Sequence, residues 1–549
     1  MNARESSSVL HNLPLVLVIR DGWGRNPHPE HAAFDATRIA RTPTADRLER
    51  DWPSTLVRTS GEDVGLPVGP DGPVMGNSEV GHQNIGAGRI VDQEVMRITR
   101  AIRDGRFFAN PTLGGAFAHA TATGGRVHIL GLASDGQVHS DLSHCLALLD
   151  MAKREGFPGD RVFVHAITDG RDTAPRSGLG FLRTLDEHCR TSGVGRVATV
   201  VGRFYAMDRD HRWERVQTAY EALVRGVERV APSAVEALER YYAAPTDASR
   251  GGDEFVLPTV IAPADAPELP RISRIASGDA VIFFNYRGDR PREITKAFVY
   301  DDAAWKAVQG GGFDRGERLA NLFFATMAEY EEGLPVRVVF ERPERMPMIL
   351  GETLAAAGLA QLRCAETEKY PHVTFFFNDY REEPFPLERR ELIASPRDVA
   401  TYDLKPEMSA AGVRDGVLRR LAAPDCEPVI IVNFANGDMV GHTGKLDAAV
   451  RACEVVDACV GAIMDATLAR GGSLIVFADH GNCEQMWDPV ANCPHTAHTN
   501  FDVPLFVVGS AFRGRRLRSG GRLADIAPTA LAMIGLEQPA AMTGVSLLA

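Results

Sequence analysis

The feature that most constrains this chain is a repeated alternation of short apolar runs with longer amphipathic segments. Seven runs stand out: Leu15–Ile19, Val127–Leu132, Val162–Ile167, Val197–Val201, Val281–Phe284, Val429–Phe434 and Leu474–Phe477. Each is too short for a core helix and rich in β-branched side chains, so each reads as a buried strand. The segments between them show helical spacing. Across 445–469, Leu446, Val450, Val455, Val456, Cys459, Val460, Ile463 and Met464 share one broad face, and Gly471-Gly472 stops the helix. Strand, helix, strand in repeated order predicts an α/β fold with mostly parallel sheets.

The chain has 549 residues, enough for several domains. Apolar residues at 44% against 24% charged ones support a sizeable core, so disorder is not expected. Sixty Lys+Arg against 72 Asp+Glu leave a net charge of -12, which argues against a general nucleic-acid or anionic-membrane binder. No apolar run reaches the roughly 18 residues of a membrane span, and residues 1–14 lack the apolar stretch of a signal peptide. Eight cysteines are scattered without a C-x-x-C pair, so neither a zinc knuckle nor a disulfide framework is expected. These features fit a cytoplasmic enzyme with reduced thiols.

In an open parallel sheet, ligands bind beyond the carboxyl ends of the strands. Two kinds of strand end occur here. One kind carries acids and histidines: Asp21 in RDGWG, Asp438 and His442 in NGDMVGH, Asp479 and His480 in ADHGN, with His495 and His498 downstream in PHTAHTN. Any one of these reads equally as a turn former or a solvated loop residue. Together they suggest convergence on divalent metals such as Mn²⁺ or Zn²⁺, and two ions about 4 Å apart suit phosphoryl transfer. Ser78, in GNSEVGHQNIGAG, stands where a helix opens. It would serve as an N-cap, or as a nucleophile beside a metal site.

The other strand ends carry arginines. Asp135 and His139 follow the second run, and Asp169, Arg171 and Asp172 the third. Arg203, Asp208, Arg209 and Asp210 follow the fourth, and Arg287 and Arg290 the fifth. Five arginines at such positions suggest a pocket for a small polyanion, with solvated Arg–Asp pairs as the plainer alternative. Glu368, Lys369 and His372 lead into VTFFF, read as an apolar strand, from which Lys369 could reach a phosphate.

Taken together, RDGWG, MGNSEVGHQNIGAGR, SDGQVHSDLSH, ITDGRDTAPRSG, GRFYAMDRDHRWER, FFNYRGDR, TEKYPHVTFFFN, NFANGDMVGHTG, ADHGN and HTAHTN resemble the cofactor-independent phosphoglycerate mutases of the alkaline phosphatase superfamily. The likeness runs from about 20 to 500 in the family's order. It implies a phosphatase-like metal domain, residues 1–92 and 341–549, interrupted by an inserted phosphotransferase domain, residues 93–340. It further implies two Mn²⁺ ions, one held by Asp438, His442 and His498, with His495 as the rival to His498. The other would be held by Asp21, Ser78, Asp479 and His480. Ser78 would carry the phosphoryl group between 3- and 2-phosphoglycerate, without 2,3-bisphosphoglycerate. His139, Arg171, Asp172, Arg203, Arg209, Arg287, Arg290 and Lys369 would contact substrate, and Asp172 would act as general acid/base. Closure of the insert would exclude water. A monomer is the inherited expectation.

Three departures from the family pattern are visible. Gly288 replaces the usual Pro in YRGDR and would loosen that loop. The PVGPDGPV turn is lengthened, and the first dozen residues are extra and expected to be disordered. A metal phosphatase or phosphopentomutase is the nearest competing enzyme, but the Arg-rich stretches favour the glycerate enzyme. A non-catalytic scaffold would be expected to lose Ser78 or a ligand, and none is lost.

Overall fold

Two eight-stranded sheets, each built around adjacent parallel strands, organise the chain. The computed structural model describes residues 10–69 and 72–549. Most of the N-terminal extension, and the tip of the PVGPDGPV turn at Pro70 and Asp71, lie outside the described residues. The chain divides into two compact units, residues 1–93 with 344–549, and residues 94–343.

In the first unit the strand order is Glu388–Ile393, Gln361–Glu366, Val429–Phe434, Leu15–Arg20, Ser473–Phe477, Val503–Val508, Ser54–Arg58 and Gly521–Arg522. The first five run parallel, and Val503–Val508 is antiparallel to both its neighbours. Leu15, Val16, Leu17, Val18 and Ile19 are all fully buried, as a central parallel strand covered on both faces must be. Helix Leu446–Ala469 packs beside them. Its buried face is carried by Ala449, Ala452 and Cys453 as well as Val456, Cys459, Val460, Ile463 and Met464. Leu446, Val450 and Val455, placed on that face by spacing, are only partly buried. Small residues allow the close approach, which apolar periodicity alone does not weigh. Gly471 adopts φ +74° just past the helix end.

The VTFFF segment corrects one expectation. The strand precedes it, at Gln361–Glu366, and His372–Phe376 forms a short π-helical turn instead. Pro371 opens that turn, and the segment packs on helix Ser78–Ala87, where the Phe377 carbonyl fills the space beside Gly86. Tertiary packing outweighs the β-propensity of the aromatic run.

The second unit's sheet runs Arg337–Val338, Phe323–Thr326, Ala280–Phe283, Val127–Leu132, Val162–Thr168, Arg196–Gly202, Thr259–Ile261 and Val230–Ala231. Its first six strands are parallel, and Thr259–Ile261 runs against Arg196–Gly202. Among the described residues all eight cysteines are free, and no helix is long and apolar enough to cross a membrane.

Candidate active site

Four adjacent parallel strands of the first unit end in the same cluster. Asp21 follows Leu15–Arg20, and Lys369 follows Gln361–Glu366. Asp438 opens helix Asn436–Gly441 after Val429–Phe434, and Asp479 and His480 follow Ser473–Phe477. Gly22 is required between them. At φ +73° it has no side chain, and a Cβ there would lie 2.6 Å from the Asp438 backbone nitrogen. The absence of a side chain lets the loops carrying Asp21 and Asp438 touch.

The helix Ser78–Ala87 brings the serine. Asn77, not Ser78, is the N-cap: its side chain accepts from the Val80 N–H. The Ser78 hydroxyl is therefore not spent on capping. It lies 2.9 Å from His480 Nε2 and 3.3 Å from Asp21 Oδ1, and it accepts from Lys369 Nζ. Lys369 Nζ also donates to Asp21 Oδ1 at 2.9 Å and Asp438 Oδ2 at 2.6 Å. All of these side chains are buried.

Burial alone would raise the Asp21 and Asp438 carboxyls, but the Lys369 ammonium and neighbouring imidazoles hold both well below the carboxylate range. Lys369, which burial would discharge, is held above its ordinary value by Asp21, Asp438 and Asp479. His480 follows the same logic: burial lowers it, yet Asp479, Asp21 and Asp438 push it up to about 9.

Whether a cation fits can be tested on the lone pairs. His442 Nδ1 donates to the Thr496 carbonyl at 2.7 Å and His498 Nδ1 to the Gly76 carbonyl at 2.8 Å. These bonds turn each Nε2 away from the backbone, where it can present a lone pair to a cation. The two Nε2 atoms lie 3.1 Å apart, and 3.1 and 3.0 Å from Asp438 Oδ1. Three potential electron-pair donors converging on one point suit a divalent cation. Asp21, Asp438 and His480 form a second such group, and Asp21, His82 and Asp479 a third. Both Asp479 carboxylate oxygens are buried without a hydrogen-bond partner. His495 belongs to none of the groups.

Spacing did not single out His82 or Asn433. Asn433 donates to Asp21 Oδ2 at 2.8 Å and to His82 Nε2 at 3.1 Å, while His82 Nδ1 lies 2.8 Å from the Ser78 carbonyl and 3.2 Å from Asp479. His82 stands one helical turn beyond Ser78, a signal available in the sequence. Asn433 sits within an apolar strand, where no motif marks it.

In the second unit the arginine-bearing strand ends gather around acids. Arg203, 2% exposed, donates to Asp169 at 2.6 Å and Asp172 at 2.5 Å. Asp289 lies between Arg209, at 3.0 Å, and Arg287, at 3.1 Å, with His139 3.7 Å away. Arg209 and Arg287 are about half exposed and Arg171 more so, so their forks are open to a ligand. Burial and the charges of Arg203, Arg209 and Arg171 lower Arg290, which places four guanidinium groups in one neighbourhood. Burial, helped by Arg203, lowers His139 to about 4 and keeps it neutral. Asp289, which the sequence reading did not single out, is the missed residue here.

Gly288 does not loosen this loop. A Cβ on it would stand 2.4 Å from the Tyr330 Cα, so the absence of a side chain permits a tight approach of two backbones.

These features define a class first: a two-unit α/β protein with a candidate divalent-cation centre around a buried serine in one unit and an arginine cluster in the other. Comparison with known proteins narrows it. Residues 98–332 match the family model described as the BPG-independent PGAM N-terminus. The chain is 62% identical to the 2,3-bisphosphoglycerate-independent phosphoglycerate mutase of Rhodopirellula baltica, over 97% of this chain and 96% of that one. It is 49% identical to the protein of the same name from Moorella thermoacetica, over 98% of each. Among solved structures, a Leishmania mexicana phosphoglycerate mutase crystallised at low cobalt concentration matches at 32% identity and TM-score 0.59, over 98% of both chains. The chain belongs to the 2,3-bisphosphoglycerate-independent phosphoglycerate mutase family and is an enzyme of the isomerase class.

Proposed function

We propose that this enzyme interconverts 3-phosphoglycerate and 2-phosphoglycerate through a phosphoserine on Ser78, without 2,3-bisphosphoglycerate. The observation that carries the reading is the buried Ser78 hydroxyl set among Asp21, His480 and Lys369, with lone-pair donors from Asp438, His442 and His498 beside them. In this reading residues 1–92 and 341–549 form the metal-binding part and residues 93–340 hold the substrate.

Two Mn²⁺ ions are the proposed cofactors, with Asp438, His442 and His498 holding one and Asp21, Ser78, Asp479 and His480 the other. The cobalt named for the Leishmania mexicana enzyme accords with a divalent cation. Bound cations would lower the serine pKa and offset phosphoryl charge. The protein's own groups do the rest. Lys369, kept charged by its acids and standing against Ser78 Oγ, would offset the negative charge of a phosphoryl group arriving there. Ser78 enters and leaves the cycle as the alkoxide: its Oγ–P bond forms as the bond from phosphorus to the glycerate O3 breaks, and protonated Asp172 supplies the proton to O3. Asp172 then takes the proton from O2 as that oxygen attacks phosphorus and frees Ser78. Arg171, Arg203, Arg209, Arg287 and Arg290 bind carboxylate and phosphate, because a planar fork matches two oxygens at once. His139, neutral through burial, contributes a hydrogen bond without adding charge.

The test is an enolase-coupled assay on Mn²⁺-loaded protein without 2,3-bisphosphoglycerate, combined with mass spectrometry of the acid-quenched reaction. Turnover with phosphate on the Ser78 peptide is expected. Turnover that needs added 2,3-bisphosphoglycerate, or survives in Ser78→Ala, would overturn the reading.

A further inference from the structure

A second cationic cavity lies elsewhere in the first unit. It encloses about 470 Å³, within the range of small-molecule sites. Arg20, Arg25, Arg38 and Arg41 line it, against two lining carboxylates, Asp46 and Glu49. Arg20 is the unusual member. It ends strand Leu15–Arg20, is 2% exposed, and keeps Nε and Nη2 buried without any hydrogen-bond partner. Among the described residues no carboxylate forms an ion pair with it. The rings of Trp23, 4.6 Å from the guanidinium, and Phe506, at 5.6 Å, lie against its charge.

The nearest acids are committed elsewhere. Asp457 accepts from the Thr44 and Ala45 backbone N–H groups at 2.8 Å each. Glu49 pairs with Arg25, and Asp35 with Arg38 at 3.2 Å. Among the described residues the Arg41 guanidinium also has no ion pair, and it is exposed at the cavity's edge. A buried guanidinium left unpaired is costly, and it is retained where something else completes it. Burial lowers Arg20 to about 10, which still leaves it charged at neutral pH.

We propose that this cavity is an anion-binding site for a small phosphomonoester, with Arg20 as its buried anchor and Arg38 and Arg41 closing on the ligand from the rim. Guanidinium forks suit a tetrahedral dianion. The apolar lining from Ala40, Pro43, Pro504 and Phe506 suits a short carbon skeleton. The site is separate from the Ser78 cluster although Arg20 precedes Asp21 directly, because successive residues at a strand end face opposite sides.

The test uses the full-length, metal-loaded enzyme and its Arg38→Gln/Arg41→Gln variant, both substitutions being on exposed side chains. Crystals soaked in tungstate should show the ion against Arg20 and Arg41 in the wild type and none there in the variant. Calorimetric titration with inorganic phosphate should lose one of two binding events in the variant, or weaken it at least tenfold, while mutase activity stays at the wild-type level. Arg20→Met should abolish the same event. Tungstate bound only at the second unit's arginines, or equal phosphate stoichiometry in wild type and surface variant, would overturn the proposal. Neither result depends on how Ser78 reacts.

Discussion

The two units treat histidine in opposite ways. In the first, His480 and His442 lie against carboxylates that raise them, His480 to about 9. In the second, burial dominates. His139 and His144 fall to about 4, and His128 and His165 are also lowered, stacked side by side with His128 Nδ1 2.9 Å from His165 Nε2. The arginines reverse the pattern, since the second unit surrounds its guanidinium groups with acids at its strand ends. The comparison teaches that similar parallel sheets can concentrate either electron-pair donors or cations at their carboxyl ends. The side chains just beyond each strand decide which. A donor cluster awaits a cation, and a guanidinium cluster awaits an anion.

The comparison is broken most severely by removing the serine. Ser78→Ala should lower kcat on the order of 10⁴-fold or more, as loss of a covalent nucleophile does elsewhere, with the fold intact by circular dichroism. A tenfold loss or less would deny the serine its role. Complete chelation comes next. The metal-free enzyme should be inactive in the coupled assay and regain activity on adding Mn²⁺, because Asp438 Oδ1 and the His442 and His498 Nε2 atoms converge where a cation would complete them.

Arg203→Met should destabilise residues 94–343 by about 3–5 kcal/mol, since it strands Asp169 and Asp172 without their partner. Hydrogen exchange resolved by peptide should place the loss in that unit alone. Arg287→Ala, on a half-exposed side chain, should leave stability within about 0.5 kcal/mol while raising KM for phosphoglycerate. A pure kcat effect would remove Arg287 from substrate binding.

The pH response sharpens the contrast further. For the lowered histidines of the second unit, the unfolded state binds protons that the folded state refuses. Their stabilising contribution is therefore present above pH about 6.5 and lost as pH falls toward about 4. In the metal-free first unit His480 is raised. Its contribution is present below about 6.5 and lost as pH rises through about 9. Denaturation of chelated enzyme across pH, followed by exchange in each unit, should show acid loosening in one and alkaline loosening in the other. Gly288→Ala should cost about 1–3 kcal/mol from forcing apart the Tyr330 backbone. An unchanged Tm would show that the loop yields freely.

Much of this was legible in the sequence because burial on both faces writes a strand as a continuous apolar run. Leu15–Arg20 and Val429–Phe434 could therefore be read directly, and with them the acids beyond their ends. VTFFF misled because an aromatic run suits either a strand or a packed helical turn, and only the neighbour at Gly86 chooses. Ser78 was read as a possible cap; backbone geometry assigned the task to Asn77. Asn433 and Asp289 were illegible because their importance lies in what stands across from them.

By itself the sequence determined the α/β class, the strand ends that carry chemistry, and the family likeness, since these depend on local periodicity and residue order. Tertiary structure alone decided that Lys369 rests between Asp21 and Asp438, that His82 joins the cluster while His495 does not, and that Arg20 is buried without an ion pair among the described residues. Those are contacts between residues up to hundreds of positions apart. Their energies depend on desolvation and on charges within a few ångströms, which no spacing along the chain records.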